Sequence, residues 1–376
     1  GARDYQARQQ TVFSNYIFQS IFGQNENQKY SAGLSFNFDR YDESFNDYLV
    51  GSGQKTATVD FDRNERVGGA FFQYTGLFWQ KLTVMAGLRY DYHNIFGSFV
   101  TPRLHLAYAP DDFTMLKVSA GHGARTANIL ADNSYLLASA NSVYVNDKLL
   151  AAHPEELDRL DMEKAWNFGV QLNRKFLFDR ILNINLDYYR TNFTDQVVAD
   201  NETQVGKVNF YNLDGDSYSN CYQVEVKYEL IPRFDVLGAY RYNDVKTTMG
   251  GRLLRAPLQS KYKGLLNLSY YTNMKKWQFD FTTQFNGPGR IPVPVSENSG
   301  QADRFDSFRI MNAQISKFFR KWSIYAGCEN IGDFTQKHPI LAADRPWSDA
   351  FDSSKIWGPV HGRKFYLGLR FGLDRE

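Results

Sequence analysis

The sequence has no long apolar run: nowhere does it approach the ~20 consecutive apolar residues that a transmembrane helix requires. Its opening, GARDYQARQQ, lacks the apolar core of a secretory signal, so the chain reads as mature or truncated. Charge of one sign is missing too. The 43 Lys and Arg stand against 41 Asp and Glu, which removes the electrostatic footprint that nucleic-acid binding needs. Cysteine is scarce, with Cys221 in the polar register of NCYQVEVKYEL and Cys328 in the apolar register of WSIYAGCEN. A disulfide needs converging Cβ atoms, so both are expected as free thiols. There is no G-x-S-x-G, no G-x-x-x-x-G-K and no paired Cys or His cluster, and GHGAR at 121–125 lacks the third glycine and strand-to-helix context of a dinucleotide loop. No catalytic, cofactor-binding or metal-ligating residue is expected, and no cofactor. The six histidines (His93, His105, His122, His153, His338 and His361) are scattered, and each is expected to be a structural or solvated residue rather than a ligand. No Pro/Gly/Ser-rich linker divides the chain, which reads as one architecture.

What is present is aromatic residues and a two-residue rhythm. Aromatics make up 16% of the chain, with 24 Tyr and 30 Phe, although the mean hydropathy is negative. In GRKFYLGLRFGLDRE the residues Phe365, Leu367, Leu369, Phe371 and Leu373 alternate with Lys364, Tyr366, Gly368, Arg370 and Gly372. Such alternation means a strand with one apolar and one wet face. It recurs in about fifteen segments of roughly 9 to 14 residues, near the length of a tilted transmembrane strand. LTVMAGLRYDYH, LNINLDYY, YQVEVKYEL and WQFDFTTQF are the clearest interior cases. Connections alternate short (GQNENQ, WQK, PDDF, FLFDR, IPRF, NMKK, FRK) with long, at about 42–65, 126–161, 191–217, 245–260, 287–305 and 331–361. That is the arrangement of a transmembrane antiparallel β-barrel with tight periplasmic turns and long external loops. Trp79, Trp277 and Trp322 beside short turns, and Tyr90, Tyr92, Tyr188, Tyr240 and Tyr242 toward the opposite ends, suit two interfacial girdles, although the β-propensity of aromatics contributes to the same pattern.

Several stretches resemble one family, the TonB-dependent outer-membrane transporters, in the C-terminal portion of their barrel. TPRLHLAYAP followed by LKVSAGHGARTANIL is similar to a strand pair entering a long external loop. EKAWNFGVQLNRKF and LNINLDYYRTNFTDQVV resemble the next hairpin, NAQISKFFRKWSIYAGCENIGD the penultimate one, and GRKFYLGLRF the terminal strand. GARTANILADNSYLLASA looks most like versions from the Bacteroidetes. Tyr366-x-Gly368-x-x-Phe371-x-Leu373 is similar to the signal read by the barrel-assembly machinery. The resemblance implies an all-β chain, residues 1–376, supplying about 15 strands of a ~22-stranded barrel, with plug domain and first strands in a second polypeptide or a segment outside this chain. It implies active uptake, without chemistry, of a scarce nutrient such as a siderophore or other metal chelate, a corrinoid or a glycan, energised by TonB through that other segment. Membrane lipid, lipopolysaccharide and the assembly machinery are the implied partners, and the bacterial outer membrane, crossed many times, the location. A passive porin-like channel and a soluble β-structural or adhesion module are the alternatives.

Candidate substrate contacts follow from position. Arg89, Asp91 and His93 lie in the polar register of one ascending strand and Arg241 and Asn243 in that of another, while Tyr135, Tyr144, Trp347 and Trp357 lie in long loops, where recognition concentrates. A polar wall with cross-strand charge pairs would account for the first five without any ligand.

Overall fold

The computed structural model describes residues 3–47, 58–293 and 303–372. The strands are β1 (Asp4–Phe22), β2 (Asn25–Asn46), β3 (Val59–Phe78), β4 (Leu82–His93), β5 (Gly97–Asp111), β6 (Thr114–Arg125), β7 (Ser142–Val145) and β8 (Lys148–Leu149). There follow β9 (Glu163–Leu177), β10 (Ile181–Asp195), β11 (Val197–Asp200), β12 (Lys207–Asn212), β13 (Ser217–Ile231), β14 (Phe234–Met249) and β15 (Arg252–Arg255). The last are β16 (Tyr262–Tyr271), β17 (Trp277–Asn286), β18 (Gly289–Arg290), β19 (Arg304–Phe305), β20 (Phe308–Phe318), β21 (Trp322–Glu329) and β22 (Lys364–Phe371). Among the described residues no helix is long and apolar enough to cross a membrane, which says nothing against crossing by strands.

Fifteen of these strands form one antiparallel sheet in chain order, β1-β2-β3-β4-β5-β6-β9-β10-β13-β14-β16-β17-β20-β21-β22, and β15 folds back on β14. All seven short turns fall where the sequence places them. Where β1 meets β2, Gly23 takes the left-handed φ of +60° that a two-residue turn demands. Several strands outrun the expected length, with β2 at 22 residues and β3 at 20. Their distal parts, YDESFN and DFDRNER, are polar on both sides and carry no alternation to follow. The loop expected at 42–65 shrinks accordingly to 47–58, of which 48–57 lie outside the described residues. Among the described residues, β1 pairs only with β2 and β22 only with β21.

The register separates two faces. In β22, Phe365, Leu367, Leu369 and Phe371 are 62–78% exposed and oppose Cys328, Ala326, Ile324 and Trp322 of β21. Cys328 therefore lies on the apolar face. Cys221 pairs with Asn243 and Tyr189 on the other, and both thiols are free. The polar face is a ladder of short hydrogen bonds across strands. Ser269 donates to Asp280 (2.6 Å), Asn267 to Thr282 (2.8 Å) and Tyr366 to Gln314 (2.8 Å). Glycine makes room on this face: a Cβ at Gly368 would collide with the Tyr325 ring, and one at Gly327 with Tyr366. Each tyrosine thus covers the glycine opposite it. The polar register of the terminal strand is a packing requirement as well as a pattern. Leu373 lies outside the described residues.

Candidate functional site

At the long-loop end the connections fold into a cap with its own core. Phe45 at the tip of β2 packs with Leu130, Leu136, Val145, Leu150 and Phe210, all almost fully buried. The frame is a four-stranded sheet, β11-β12-β7-β8, whose β12/β7 pair is parallel and joins the loop after β6 to the loop after β10. Buried polar groups pin the cap to the wall. Arg3 pairs with fully buried Asp47 and donates to the carbonyls of Leu137, Ser139 and Asn141 (3.2, 2.9 and 2.7 Å). Arg290 binds Glu202 with both terminal nitrogens and gives its Nε–H to the Arg255 carbonyl at 2.8 Å, locking three loops together. The loop after β21 docks through Ala140 N–H to Phe351 O (2.8 Å) and Ser353 Oγ to Ala138 O (2.6 Å). Tyr211 donates to Asp200 at 3.0 Å, and burial, with that carboxylate beside it, pushes its phenol up to about 12.

Three concave sites are framed by these elements. A cavity of about 280 Å3 between β3 and the cap carries Glu43, Asp62, Glu155, Asp158 and Asp161 beside Phe61 and Leu157. Glu43 accepts from Tyr5, whose phenol burial and this carboxylate together raise, and from Asn128 at 3.0 Å. A second cavity of about 280 Å3 is walled by Arg125, Tyr135, Gln196, Asn201 and Met249, with Arg125 held by Glu163 at 2.6 Å. A shallower hollow of about 300 Å3 lies on the polar face of the wall, with Glu225, Arg241 and Lys263 on its surface. Among the described residues no group of His, Cys, Asp and Glu is arranged to hold a metal ion.

The predicted contacts separate on this geometry. Arg89 chelates Asp91 (2.7 and 2.6 Å) and reaches Ser35 (2.7 Å), and Gly69 leaves the room, since a Cβ there would collide with both charged groups. Asp91 and His93 are 3% and 2% exposed. His93 accepts the Ile95 N–H at 3.1 Å, faces Glu65 at 3.5 Å and packs edge-on against Phe96. These three residues are satisfied within the wall. Arg241 lines the third hollow and donates twice to Gln223 (2.8 and 2.6 Å), while Asn243 uses its backbone to bind Lys261 and Arg255. Tyr135 lines the second cavity, half exposed. Tyr144, in β7, lies under the Lys207 ammonium, 4.6 Å from the ring. Trp347 is 72% exposed, whereas Trp357 is stacked on Phe305 at 4.6 Å and against Phe308, as a loop anchor. The cavity carboxylates escaped the sequence reading. Their signal was the acidic density of PEELDRLD between two apolar positions of the cap core, Leu150 and Met162.

A family described as TonB dependent receptor-like, beta-barrel, matches residues 1–331. The chain belongs to this family. Solved structures agree on the fold. The siderophore receptor PirA from Acinetobacter baumannii superposes with a TM-score of 0.69 at 17% identity, over 97% of this chain and 55% of that one. The copper transporter OprC gives 0.69 at 14% identity, over 98% and 57%. A mutant of the ferric enterobactin receptor PfeA from Pseudomonas aeruginosa gives 0.66 at 14% identity, over 96% and 54%. This TonB-dependent receptor chain therefore spans about half the length of the solved structures it matches. The comparison with curated proteins gives no match.

Proposed function

We propose that the chain is the wall and external cap of an outer-membrane receptor that takes up a scarce nutrient, energised through TonB, with the apolar face in lipid and the polar face toward the lumen. The observation that carries this reading is the division of the sheet. Exposed apolar side chains line one face from β1 to β22, a hydrogen-bonded polar ladder lines the other, and all the long loops gather at one end. The solved relatives, receptors for siderophores and a copper transporter, favour a metal-bearing cargo over a corrinoid or glycan. The segment from Gly123 to Ala140 keeps its resemblance to Bacteroidetes versions. The cavities would offer first contact to cargo, and no step in this function is chemical.

The same reading makes the chain the C-terminal part of one barrel. An open strand edge in hydrocarbon leaves unpaired backbone groups at several kcal/mol each, so the free edges of β1 and β22 call for further strands, and the plug would lie with them in a segment outside this chain. Paired cysteines test this. Tyr16→Cys and Leu369→Cys should not cross-link within the chain, and a quantitative intrachain disulfide would mean that β1 and β22 close a small barrel by themselves. Planar-bilayer recording of the full receptor tests uptake against passive flow: a plugged receptor is nearly silent, and a large steady conductance would favour the porin-like alternative. Mass spectrometry of the purified receptor would identify co-purified cargo.

A further inference from the structure

We infer that the distal edge of β3 is a docking site for an extended, basic segment of another protein, which adds to the sheet as a short strand. The inference goes beyond the proposed function and rests on it in one respect, that the cap stands outside the membrane. β3 outruns its neighbour, since its pairing with β4 begins only at Val67, opposite His93. Asn94 carries the ladder one step further. Its backbone N–H donates to the Arg66 carbonyl (3.1 Å), its Oδ1 accepts the Arg66 N–H (2.7 Å) and its Nδ2 donates to the Asn64 carbonyl (2.9 Å). Alternate residues of a strand present their backbone groups to the same edge, so those of Asp62 and Asp60 follow those of Arg66 and Asn64. Among the described residues nothing pairs with them, while β2 occupies the other edge as far as Val59.

The cavity between β3 and the cap lies along this edge. Its lining takes in Asp60, Phe61, Asp62 and Arg63 in succession, together with residues of the cap from 126–130 and 154–161. The cap thus stands off the edge instead of pairing with it, and leaves about 280 Å3 between them. From Val59 to Asn64 the open edge runs roughly 17 Å at ~3.3 Å per residue, the length of an ordinary short strand.

Unpaired edges are commonly blunted by charge, and Asp60 and Asp62 would repel a neutral or acidic strand. What separates this edge from a merely protected one is the wall that faces it. Glu155, Asp158 and Asp161 add negative charge from the cap, and Phe61, Phe96 and Leu157 supply an apolar bed. Arg63, the cation in the lining, is already engaged, by Glu65 at 2.8 Å and over the Tyr41 ring at 4.8 Å. Asp62 also stands directly opposite Asp42, a like-charge pair that destabilises a sheet. Arg40 serves Asp42 at 2.8 Å, and among the described residues Asp62 has no ion-pair partner. Strand periodicity then fixes the occupant. Asp60 and Asp62 project to one face of β3 and Phe61 to the other, so an added strand meets carboxylates at alternate positions and a phenyl ring between them. Lysine or arginine at two alternate positions, with an apolar residue between, fits both, held by main-chain hydrogen bonds and selected by its side chains. This gives the cavity an occupant distinct from a small metal-bearing cargo.

Fluorescence anisotropy of the full receptor in detergent tests this, with a labelled heptapeptide of alternating lysine and valine as probe. Only one edge of an added strand faces β3. Methylating the backbone nitrogens of one alternate set of probe residues should therefore cut affinity by about tenfold or more, and methylating the other set should leave it nearly unchanged. A peptide of the same composition with its lysines in one block should bind more weakly, and bound probe should slow amide exchange at Asp60 and Asp62. Asp62→Asn should lower affinity severalfold. Asp62→Pro also removes an N–H on the open edge without touching the ladder to β2, and should abolish binding while the receptor keeps heat-modifiable migration. If that variant does not fold, the two methylated probes on the wild type decide. Equal effects of the two methylations, equal binding of the block peptide, or displacement of the probe by spermine at matched charge would overturn the strand edge. Binding to the purified receptor but not to intact cells displaying it would instead overturn the external placement of the cap, and the partner with it.

Discussion

Val170 in β9 offers the sharpest test of which face meets lipid. On the apolar face of β9 the row runs Trp166, Phe168, Val170, Leu172, Arg174, Phe176. From Trp166 to Phe176 is ten residues, ~33 Å along the strand, which a tilt of ~40° projects to ~25 Å, the height of a barrel's apolar band. Val170 lies four residues from one end and six from the other, hence within ~3 Å of the middle. It is 43% exposed, and its cross-strand neighbours are Val118 and Tyr188. Val170→Arg should therefore cost the full ~2–4 kcal/mol of a cation at the bilayer midplane. Gln171→Arg, one position along and on the polar face beside Asp187, should be near neutral. Ile184, though apolar in register, stands opposite Arg174, which pairs with Asp111 at 3.0 Å near the short turn. Its replacement by Arg should cost at most ~1 kcal/mol, as at an interface. Urea unfolding of the full receptor from phospholipid vesicles measures all three. A cost at Gln171 equal to that at Val170, or less than ~0.5 kcal/mol at Val170, would refute the face assignment.

Glu202→Gln should loosen the three-loop junction at Arg290 by about 2 kcal/mol, below the ~3–5 of a fully buried pair because the arginine is 20% exposed, and should speed amide exchange across residues 196–207 and 287–292. Trp357→Ala removes the stack on Phe305 and should open the loop after β21 to protease at concentrations that leave the wild type intact, with the wall unaffected. The Glu156 carboxyl is held below its usual range by Lys148, with Asn146 and Arg159 beside it. A depressed folded pKa gives stabilisation that is complete above the unfolded value and lost as pH falls through the folded one. The segment 142–160 should accordingly be less protected at pH 3 than at pH 5 once exchange is normalised to the intrinsic rate at each pH, whereas Glu156→Gln should show little change in protection between the two. The folded receptor should migrate differently boiled and unboiled, because a barrel's strand hydrogen bonds are all internal.

The wall was legible because lipid and lumen impose opposite chemistry on alternate residues. LTVMAGLRYDYH and WQFDFTTQF could be assigned face by face, and the register confirms each assignment. Legibility fails where both faces carry charged residues, as in DFDRNER of β3, whose inner face buries Glu65 and half-buries Arg63 where an apolar row would be expected, since alternation of apolar and polar residues then has nothing to report. It failed differently in the cap. SVYV, VVAD and KVNF do alternate, with Val143, Val145, Val198, Val208 and Phe210 buried, but four residues are too few to separate from chance. The parallel pairing of SVYV with KVNF joins segments more than sixty residues apart, and a parallel pair at that separation leaves no local signal. Candidate contacts suffered from the same limit. The polar register gave the side of the wall for His93 but not its burial, because what covers it, Thr126 and Phe96, comes from outside its strand.

The first strand departs from the pattern in a way that bears on the proposed architecture. Tyr16 and Phe18 of β1 share the apolar face with Leu34 and Ala32 of β2, as the rest of the wall would have it. Phe13 and Ile17, however, fall on the polar face opposite Asn37 and Gly33, and are 64% and 50% exposed there. A strand apolar on both sides has the composition of one buried on both sides. Phe71 of β3 lies across Gly33 on that same polar face, where a Cβ at Gly33 would collide with its ring, so the apolar ground continues two strands inward from the edge. A water-filled lumen gives these side chains no reason to be apolar, and a passive channel would leave them wet. A domain seated inside the barrel against β1 to β3 would cover them, while lipid covers Tyr16 and Phe18 from the other side. The unpaired edge of β1 and its inward apolar residues thus ask for two different neighbours, a strand alongside and a packed body within, and the plug and first strands of a TonB-dependent receptor would supply both.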